Sequence, residues 1–366
     1  MQFQSLKDDF VCPSCKSPLD NQTDRFICNK CDTHWSVRDG VPVFSERNDI
    51  YWNEIPKDEM ERLLDIAKSE GWVTAIYDYL KLKQIRDYAI VGDERRADWR
   101  FLLPLDKNSI VLDLGCGWGA IAVALSDICG KVYAMDATWE RASFLNIRKK
   151  QQKIDNLFPI HGGDQLEFPF PHSYFDLISM VGVLEWIGTW YTHGGPQDAQ
   201  MEALRRVYYH LKNDGYLYIG IENRFGFQYL LGGKDHNGLP FVSLLPRFMA
   251  NLLSKRFAGE PYTTYQYSIY GYKKALQEVG FSEIKFYAPL PQYRTPLFYI
   301  PLDNVNVLNY FFKNIFPLFN MVSPEVKRHY AFQYKVAKIG VKIALIFKLT
   351  WLAKFIAPGF SIIAKK

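Results

Sequence analysis

The sequence has little that would mark a secreted, membrane-spanning or broadly nucleic-acid-binding protein. It opens Met-Gln-Phe-Gln-Ser-Leu-Lys-Asp-Asp, without the basic stretch and apolar run of a signal peptide. No uncharged apolar run reaches the roughly 20 residues that cross a bilayer. The nearest, Ile343 to Ala357, is broken by Lys348 and Lys354. The expected location is cytoplasmic. Net charge is only +5, from 44 basic and 39 acidic residues. The stretch from Val326 to Lys366 holds nine Lys or Arg and no Asp or Glu, which leaves −4 on the rest. A nucleic-acid binder carries its basic footprint across the domain, so nucleic acid is not an expected partner. Cysteine is scarce as well, with six in 366 residues.

What is present is an ordinary globular composition, 48% apolar and 23% charged, at a length that suits two domains or one domain with insertions. Four of the six cysteines, Cys12, Cys15, Cys28 and Cys31, form C-x2-C-x12-C-x2-C. Two such knuckles can present four thiolates tetrahedrally to one Zn²⁺, and four Cys ligands leave no open position, so the zinc would be structural. Disulfides are the rival reading, and they need an oxidising compartment that nothing here indicates. His34 follows closely but is not needed as a ligand. Cys116 and Cys129 read as small buried residues.

Beyond the cysteines, Pro56 opens an amphipathic stretch with Met60, Leu63, Leu64 and Ala67 at helical spacing. A second carries Val73, Ile76 and Leu80, and a third runs from Glu94 to Leu103. The main domain starts at Ser109. Ile110–Leu114 is a buried-strand pattern, followed by Gly115-Cys-Gly117-Trp-Gly119 and the helical run Ala120–Ser126. Strand, glycine turn and helix N-terminus make a nucleotide-binding entry. Gly115-x-Gly117-x-x-Ala120 also satisfies a dinucleotide fingerprint, with Asp136 at the ribose-binding distance. Three acids separate the readings. Asp113 precedes the first glycine, where it would repel a pyrophosphate but suit a cation. Lys131–Asp136 and Ile160–Asp164 are two further strand patterns, each ending in an acid.

This set resembles the class I S-adenosylmethionine-dependent methyltransferases, over about Ser109 to Tyr287. The four-cysteine segment, with His34-Trp35 and Asp39–Phe44, resembles the short zinc ribbons that precede or partner such enzymes. The resemblance implies an α/β fold: a Rossmann-like sheet of seven strands with the last antiparallel, plus a small N-terminal four-cysteine zinc ribbon. It implies S-adenosylmethionine as cofactor, with Asp113 on the methionine amino group and Gly115, Cys116, Gly117 and Gly119 forming the loop. Asp136 and Ala137 would meet the ribose, Gly163 and Asp164 the adenine, and Met180 and Val181 the methyl-transfer site. Phe175–Val181 is then the fourth strand, Lys212–Gly215 the turn into a fifth at Tyr216–Glu222, and Ile284–Tyr287 the sixth. Between the fourth and fifth, Met201–Leu211 reads as a helix. Trp186 stands where many relatives have histidine. Phe360–Ala364 would be the final strand.

The expected organisation is a ribbon over 1–47, helices over 48–108, and a methyltransferase domain over 109–366 with insertions at 223–267 and 289–357. The first insertion carries Glu222-Asn-Arg-Phe-Gly226 and Gly232-Gly-Lys-Asp-His-Asn-Gly238. These strings resemble methyltransferases of surface-glycan biosynthesis, which implies O-methylation of a glycan or lipid-linked small acceptor. A hydroxyl nucleophile must lose its proton, so His236, Asp235 and Glu222 are the candidate catalytic residues, with His193 behind them. Five tyrosines from Tyr262 to Tyr272 could stack on sugar or simply pack. Lysines interleaved with apolar residues over 335–354 suit either peripheral contact with an anionic membrane or a lid. The ribbon could take a protein partner. The competing readings are a ribbon-guided RNA methyltransferase and a non-catalytic adaptor, with a dehydrogenase more distant.

Overall fold

The computed structural model describes residues 9–22, 24–45, 47, 50–52, 54–82, 91–164, 166–190, 194–319 and 331–366. His193 and the side chain of Leu80 lie outside these. The chain divides into two compact units. One holds residues up to Val183, Glu202–Tyr218 and the last two residues; the other holds Leu184–Met201 and Ile219–Ala364.

The first unit begins with a four-stranded antiparallel sheet: β1 (Asp20–Asn21), β2 (Arg25–Cys28), β3 (Thr33–Arg38) and β4 (Val41–Pro42). Alternation along β2 and β3 buries Phe26, Cys28 and Trp35. The chain then forms two helices, α1 (Lys57–Glu70) and α2 (Trp72–Leu82). Met60, Leu63, Leu64 and Ala67 are all buried on α1, and they pack with Ala75, Ile76, Trp118 and Phe144. Each such burial contributes about 1.5–3 kcal/mol for the larger side chains. Val73, expected on the apolar face of α2, is instead 48% exposed. The third stretch is a 3₁₀ helix, Glu94–Leu102, whose N-cap Asp93 accepts from the Arg95 N–H. Its Trp99 stacks on Tyr218 at 3.7 Å.

The main sheet contains β5 (Ile110–Leu114), β6 (Lys131–Asp136), β7 (Leu157–His161), β8 (Phe175–Val181), β9 (Leu211–Glu222), β10 (Ser282–Leu290), β11 (Phe298–Pro301) and β12 (Gly359–Lys365). Their order is β11-β10-β12-β9-β8-β5-β6-β7. The pairs β5–β6, β6–β7 and β5–β8 are parallel. Their near-continuous apolar sequences suit strands buried on both faces. The connections from β5 and β6 are α3 (Ala120–Ser126), buried at every residue, and α4 (Trp139–Gln152). After β7 the chain crosses to the other side of β5, so a topological switch point lies between β5 and β8, where open α/β sheets bind ligands.

Several boundaries differ from the sequence reading. β7 ends at His161, so Asp164 sits three residues past the strand. The helix before β9, α5, begins earlier, at Pro196, and runs to His210. β9 then starts directly at Leu211 and takes in the expected Lys212–Gly215 turn, where Asp214 has a φ of +64°. The sheet also has an eighth strand: β11 lies inside the second insertion and pairs antiparallel with β10.

The small N-terminal sheet is fastened to the first unit. Val43 bridges to His161, and the Phe44 N–H donates to the His161 carbonyl at 2.8 Å, so the segment covers the edge of β7. The Phe10 ring packs between Phe26 and Phe44 on one side and Tyr133 and Phe170 on the other. Lys131 and Tyr174 both bond Asp9, at 2.8 and 2.6 Å.

Candidate functional site

The glycine turn after β5 is held by the strand beside it. Gly115 and Cys116 donate their N–H groups to the Met135 carbonyl, and Gly117 donates to the Asp136 carboxylate at 2.8 Å. Gly115, Gly117 and Gly119 all have positive φ, at +68°, +56° and +84°. At two of them the reason is packing: a Cβ on Gly115 would stand 2.4 Å from Val183, and one on Gly119 would stand 2.2 Å from Leu145. Gly117 differs, because a Cβ there would meet nothing within 4 Å. Its backbone lines open space, as a ligand cradle requires.

Asp113 is buried at the end of β5. Ser179 on β8 donates to one carboxylate oxygen at 2.7 Å, and the other oxygen has no partner among the described residues. Burial, reinforced by nearby Asp136 and opposed by Ser179 and Arg96, pushes its pKa up to about 7. Asp136 is buried at the end of β6, and its second oxygen accepts from the Thr138 N–H at 2.8 Å. Each oxygen keeps a lone pair for a further donor. Beyond β7, both oxygens of Asp164 are buried without a partner among the described residues. Gly163 beside it has φ +93°. Ala137 gives its carbonyl to His161 Nε2 at 3.1 Å, and Met180 is buried opposite Leu114. Val181 closes β8 and is half-buried. Burial drives the Cys116 thiol well above its ordinary pKa, which leaves it a neutral packing group.

Sequence reasoning missed the brace behind this cradle. Arg141 on α4 lies 3.8 Å from Asp136 and donates to Glu54 at 3.0 Å, while the Trp118 indole of the glycine turn donates to the same Glu54 oxygen at 2.8 Å. Glu54 would be raised by its surroundings, but Arg141 and Trp118 hold its pKa down at about 2. No local signal connects Glu54 to a turn 64 residues away.

The four cysteines come together as their spacing implied. Cys12 and Cys31 sulfurs are 4.0 Å apart and Cys15 and Cys28 sulfurs 3.5 Å, with all four within 4.8 Å of one another. The Cys15 and Cys31 N–H groups donate to the Cys12 and Cys28 sulfurs, each at 3.4 Å. Zinc–sulfur bonds of about 2.3 Å in a tetrahedron separate the sulfurs by about 3.8 Å, so the cage fits that ion. His34 is exposed on β3 and stays outside the cluster.

The second unit brings together two of the three candidate catalytic residues. Glu222 Oε2 faces His236 Nε2 at 3.5 Å, an ion-pair distance but long for a hydrogen bond. Burial opposes charge on both; their mutual attraction prevails, so Glu222 falls to about 2 and His236 rises. Glu185, which the sequence reading passed over, joins them. Burial and the Glu222 charge push its pKa up to about 8. Trp186 packs on the His236 ring at 4.5 Å. Asp235 does not join this group. Its Oδ1 accepts from the Asn237 N–H at 3.0 Å in a turn closed by the Lys234–Pro240 bridge, the habit of Asp in tight loops. Of the five tyrosines, Tyr262, Tyr265 and Tyr267 surround the Arg247 guanidinium at 5.5, 4.2 and 5.7 Å, Tyr272 is buried and Tyr270 is exposed.

The glycine turn, the switch point and the acids near the strand ends belong to a Rossmann-like α/β fold. Residues 112–219, from β5 into β9, match the family described as "Methyltransferase domain". Over 73 residues the chain is 36% identical to a probable cobalt-precorrin-6B C(15)-methyltransferase (decarboxylating) of Methanococcus maripaludis. That alignment spans 20% of this chain and 40% of the relative, well under half its length. Among solved structures, a SAM-dependent methyltransferase from Archaeoglobus fulgidus aligns at 18% identity and TM-score 0.42, covering 77% of this chain and 98% of its own. A phosphoethanolamine N-methyltransferase from Haemonchus contortus aligns at 15% identity and TM-score 0.40, covering 83% and 59%. At that level neither bears on the chemistry of this chain. Among the described residues no helix is long and apolar enough to cross a membrane.

Proposed function

We propose that the protein transfers a methyl group from S-adenosylmethionine to a hydroxyl of a glycan or lipid-linked small acceptor. The observation that carries the cofactor reading is Asp113, a buried carboxylate with one unpartnered oxygen beside a glycine turn that is open at Gly117. It suits the cofactor's ammonium group. Asp136 keeps acceptor capacity for the ribose hydroxyls, the unpartnered oxygens of Asp164 suit the adenine amino group, and Cys116, Gly163, Ala137, Met180 and Val181 complete the lining. When bound, the cofactor supplies a methyl carbon on a sulfonium, which an acceptor oxygen takes by in-line displacement. The chain's own task is to hold the partners aligned, exclude water and accept the hydroxyl proton. The Glu222–His236 pair is its candidate for the last.

The acceptor class rests on the strings around Glu222 and Lys234 and on one surface. Helix α6 (Ala331–Ile346) has no buried residue. Its half-buried positions are Gln333, Tyr334, Ala337, Val341, Ala344 and Leu345, whereas Phe332, Ile339, Ile343 and Ile346 are exposed. Lys335, Lys338 and Lys342 stand among them, and no acid follows to the end of the chain. Exposed apolar side chains with snorkelling lysines suit the surface of an anionic membrane. In the same reading the four-cysteine cage holds a structural zinc, which keeps the N-terminal sheet on the edge of β7.

The test incubates the protein and methyl-labelled S-adenosylmethionine with a host extract divided into lipid, RNA, protein and soluble pools. An Asp136→Ala variant is the control. Label in the lipid or glycolipid pool, absent with the variant, is the expected result. Label confined to RNA or protein would overturn the acceptor reading, and no label with no cofactor binding would overturn the enzyme reading.

A further inference from the structure

The cluster in the second unit has an electrostatic problem that its protein neighbours do not solve. Glu185 is fully buried, and neither of its oxygens has a hydrogen-bond partner among the described residues. Glu222 Oε2 and His236 Nε2 are buried as well and make no hydrogen bond, only their 3.5 Å ion pair. One ligand atom from each of the three lies within 4.8 Å of the others. Two carboxylates so close and so dry repel each other, and each costs several kcal/mol to bury without a counter-charge. Arg294 lies near enough to influence both carboxylates, and its Nε donates to the Tyr293 hydroxyl at 3.2 Å. It eases the charge balance without providing a hydrogen bond to either Glu185 oxygen.

We infer that Glu185, Glu222 and His236 form a binding site for one divalent metal ion, through one oxygen of each carboxylate and Nε2 of the imidazole. Metal–ligand bonds of about 2.0–2.6 Å allow ligand atoms up to roughly 5 Å apart around a single ion, which this set satisfies. Two carboxylates and a neutral imidazole match the charge of a divalent ion, with the nearby Arg294 cation left over. One nitrogen and two hard oxygens suit first-row ions such as Mn²⁺ or Fe²⁺ better than the thiolate cage does, so the two sites sort their metals by ligand type. Trp186 packed on His236 limits rotation of the ring. Three protein ligands leave positions for water or an acceptor oxygen. With the methyltransferase reading, on which this use of the site rests, Glu222 and His236 would act through the ion rather than as the base, and a hydroxyl in an open position would give up its proton to water more readily.

The test uses the full chain with its thiolate cage loaded with zinc. Mn²⁺ is titrated in, and the free ion is followed by electron paramagnetic resonance. One Mn²⁺ bound per chain is the expected result. Glu185→Gln and His236→Gln should each weaken binding roughly tenfold or more, with zinc content and S-adenosylmethionine affinity unchanged as evidence of an intact fold. Absence of Mn²⁺ uptake, or uptake equal in all three proteins, overturns the inference. Mn²⁺ uptake without cofactor binding would keep the metal site and remove the methyltransferase reading; cofactor binding without Mn²⁺ uptake would do the reverse.

Discussion

Asp113→Asn should stabilise the ligand-free protein at alkaline pH while weakening its grip on the cofactor. The carboxyl is buried, and its pKa stands at about 7 against an ordinary 3.8, an upward displacement worth about 4 kcal/mol. The folded state therefore binds this proton more tightly than the unfolded chain. Stability falls as pH rises from about 4 to about 7 and stays low above that. Asparagine carries no charge to bury, and its carbonyl can still accept from Ser179. Its amide takes the place of the oxygen that has no partner, at a cost of about 1–3 kcal/mol. The net gain at pH 8 is about 1–3 kcal/mol. Cofactor binding moves the other way, because a charge-assisted contact worth about 1.5–3 kcal/mol is lost, which is roughly 10- to 100-fold in Kd. Thermal melts of both proteins without ligand at pH 5 and pH 8, with calorimetric titration of S-adenosylmethionine, measure both quantities. A variant that melts lower at pH 8 and binds the cofactor as tightly as the parent would refute the reasoning at both ends.

Two alanine substitutions in the glycine turn should separate packing from binding. Gly119→Ala drives a methyl to 2.2 Å from Leu145 and should lower the melting temperature markedly, whereas Gly117→Ala faces open space. Gly117→Ala should cost only about 1–2 kcal/mol of left-handed strain yet impair cofactor binding, as melts and titrations of the two variants would reveal. Glu54→Gln removes the carboxylate that Arg141 and Trp118 share. About a third of that side chain meets water, so its stabilisation is about 1–2 kcal/mol, present above about pH 4.5 and lost as pH falls towards 2. Acid denaturation of the variant should be correspondingly flatter over that range. Cys28→Ser should abolish zinc retention by elemental analysis and lower the thermal midpoint, since Phe10, Phe26 and Phe44 would lose the frame that holds them against Tyr133 and Phe170.

Legibility followed locality. The strand ending at Val181 and a final strand at Phe360–Ala364 came from the family resemblance; the four-cysteine spacing, the glycine turn and the strands ending at Leu114 and Asp136 were readable from the chain itself. Each of the latter depends on side-chain periodicity or backbone freedom within a few residues, and those act before any tertiary contact exists. The acid–histidine pair was half legible: Glu222 and His236 were singled out, but Asp235, equally prominent in sequence, is held in its own turn.

Tertiary structure decided the rest. Only packing reveals that Glu54 braces the glycine turn through Arg141 and Trp118, and that Tyr262, Tyr265 and Tyr267 close around Arg247. Only burial turns Glu185, one acid in Gly-Val-Leu-Glu-Trp, into a carboxyl without a hydrogen-bond donor beside Glu222 and His236. The N-terminal sheet reads in sequence as a separate module; Val43 and Phe44 on the edge of β7 make it part of the first unit's fold. The physical reason is common to these cases. Local sequence sets which groups a residue offers, whereas desolvation and long-range pairing set what those groups do, and both depend on which distant side chains arrive beside them.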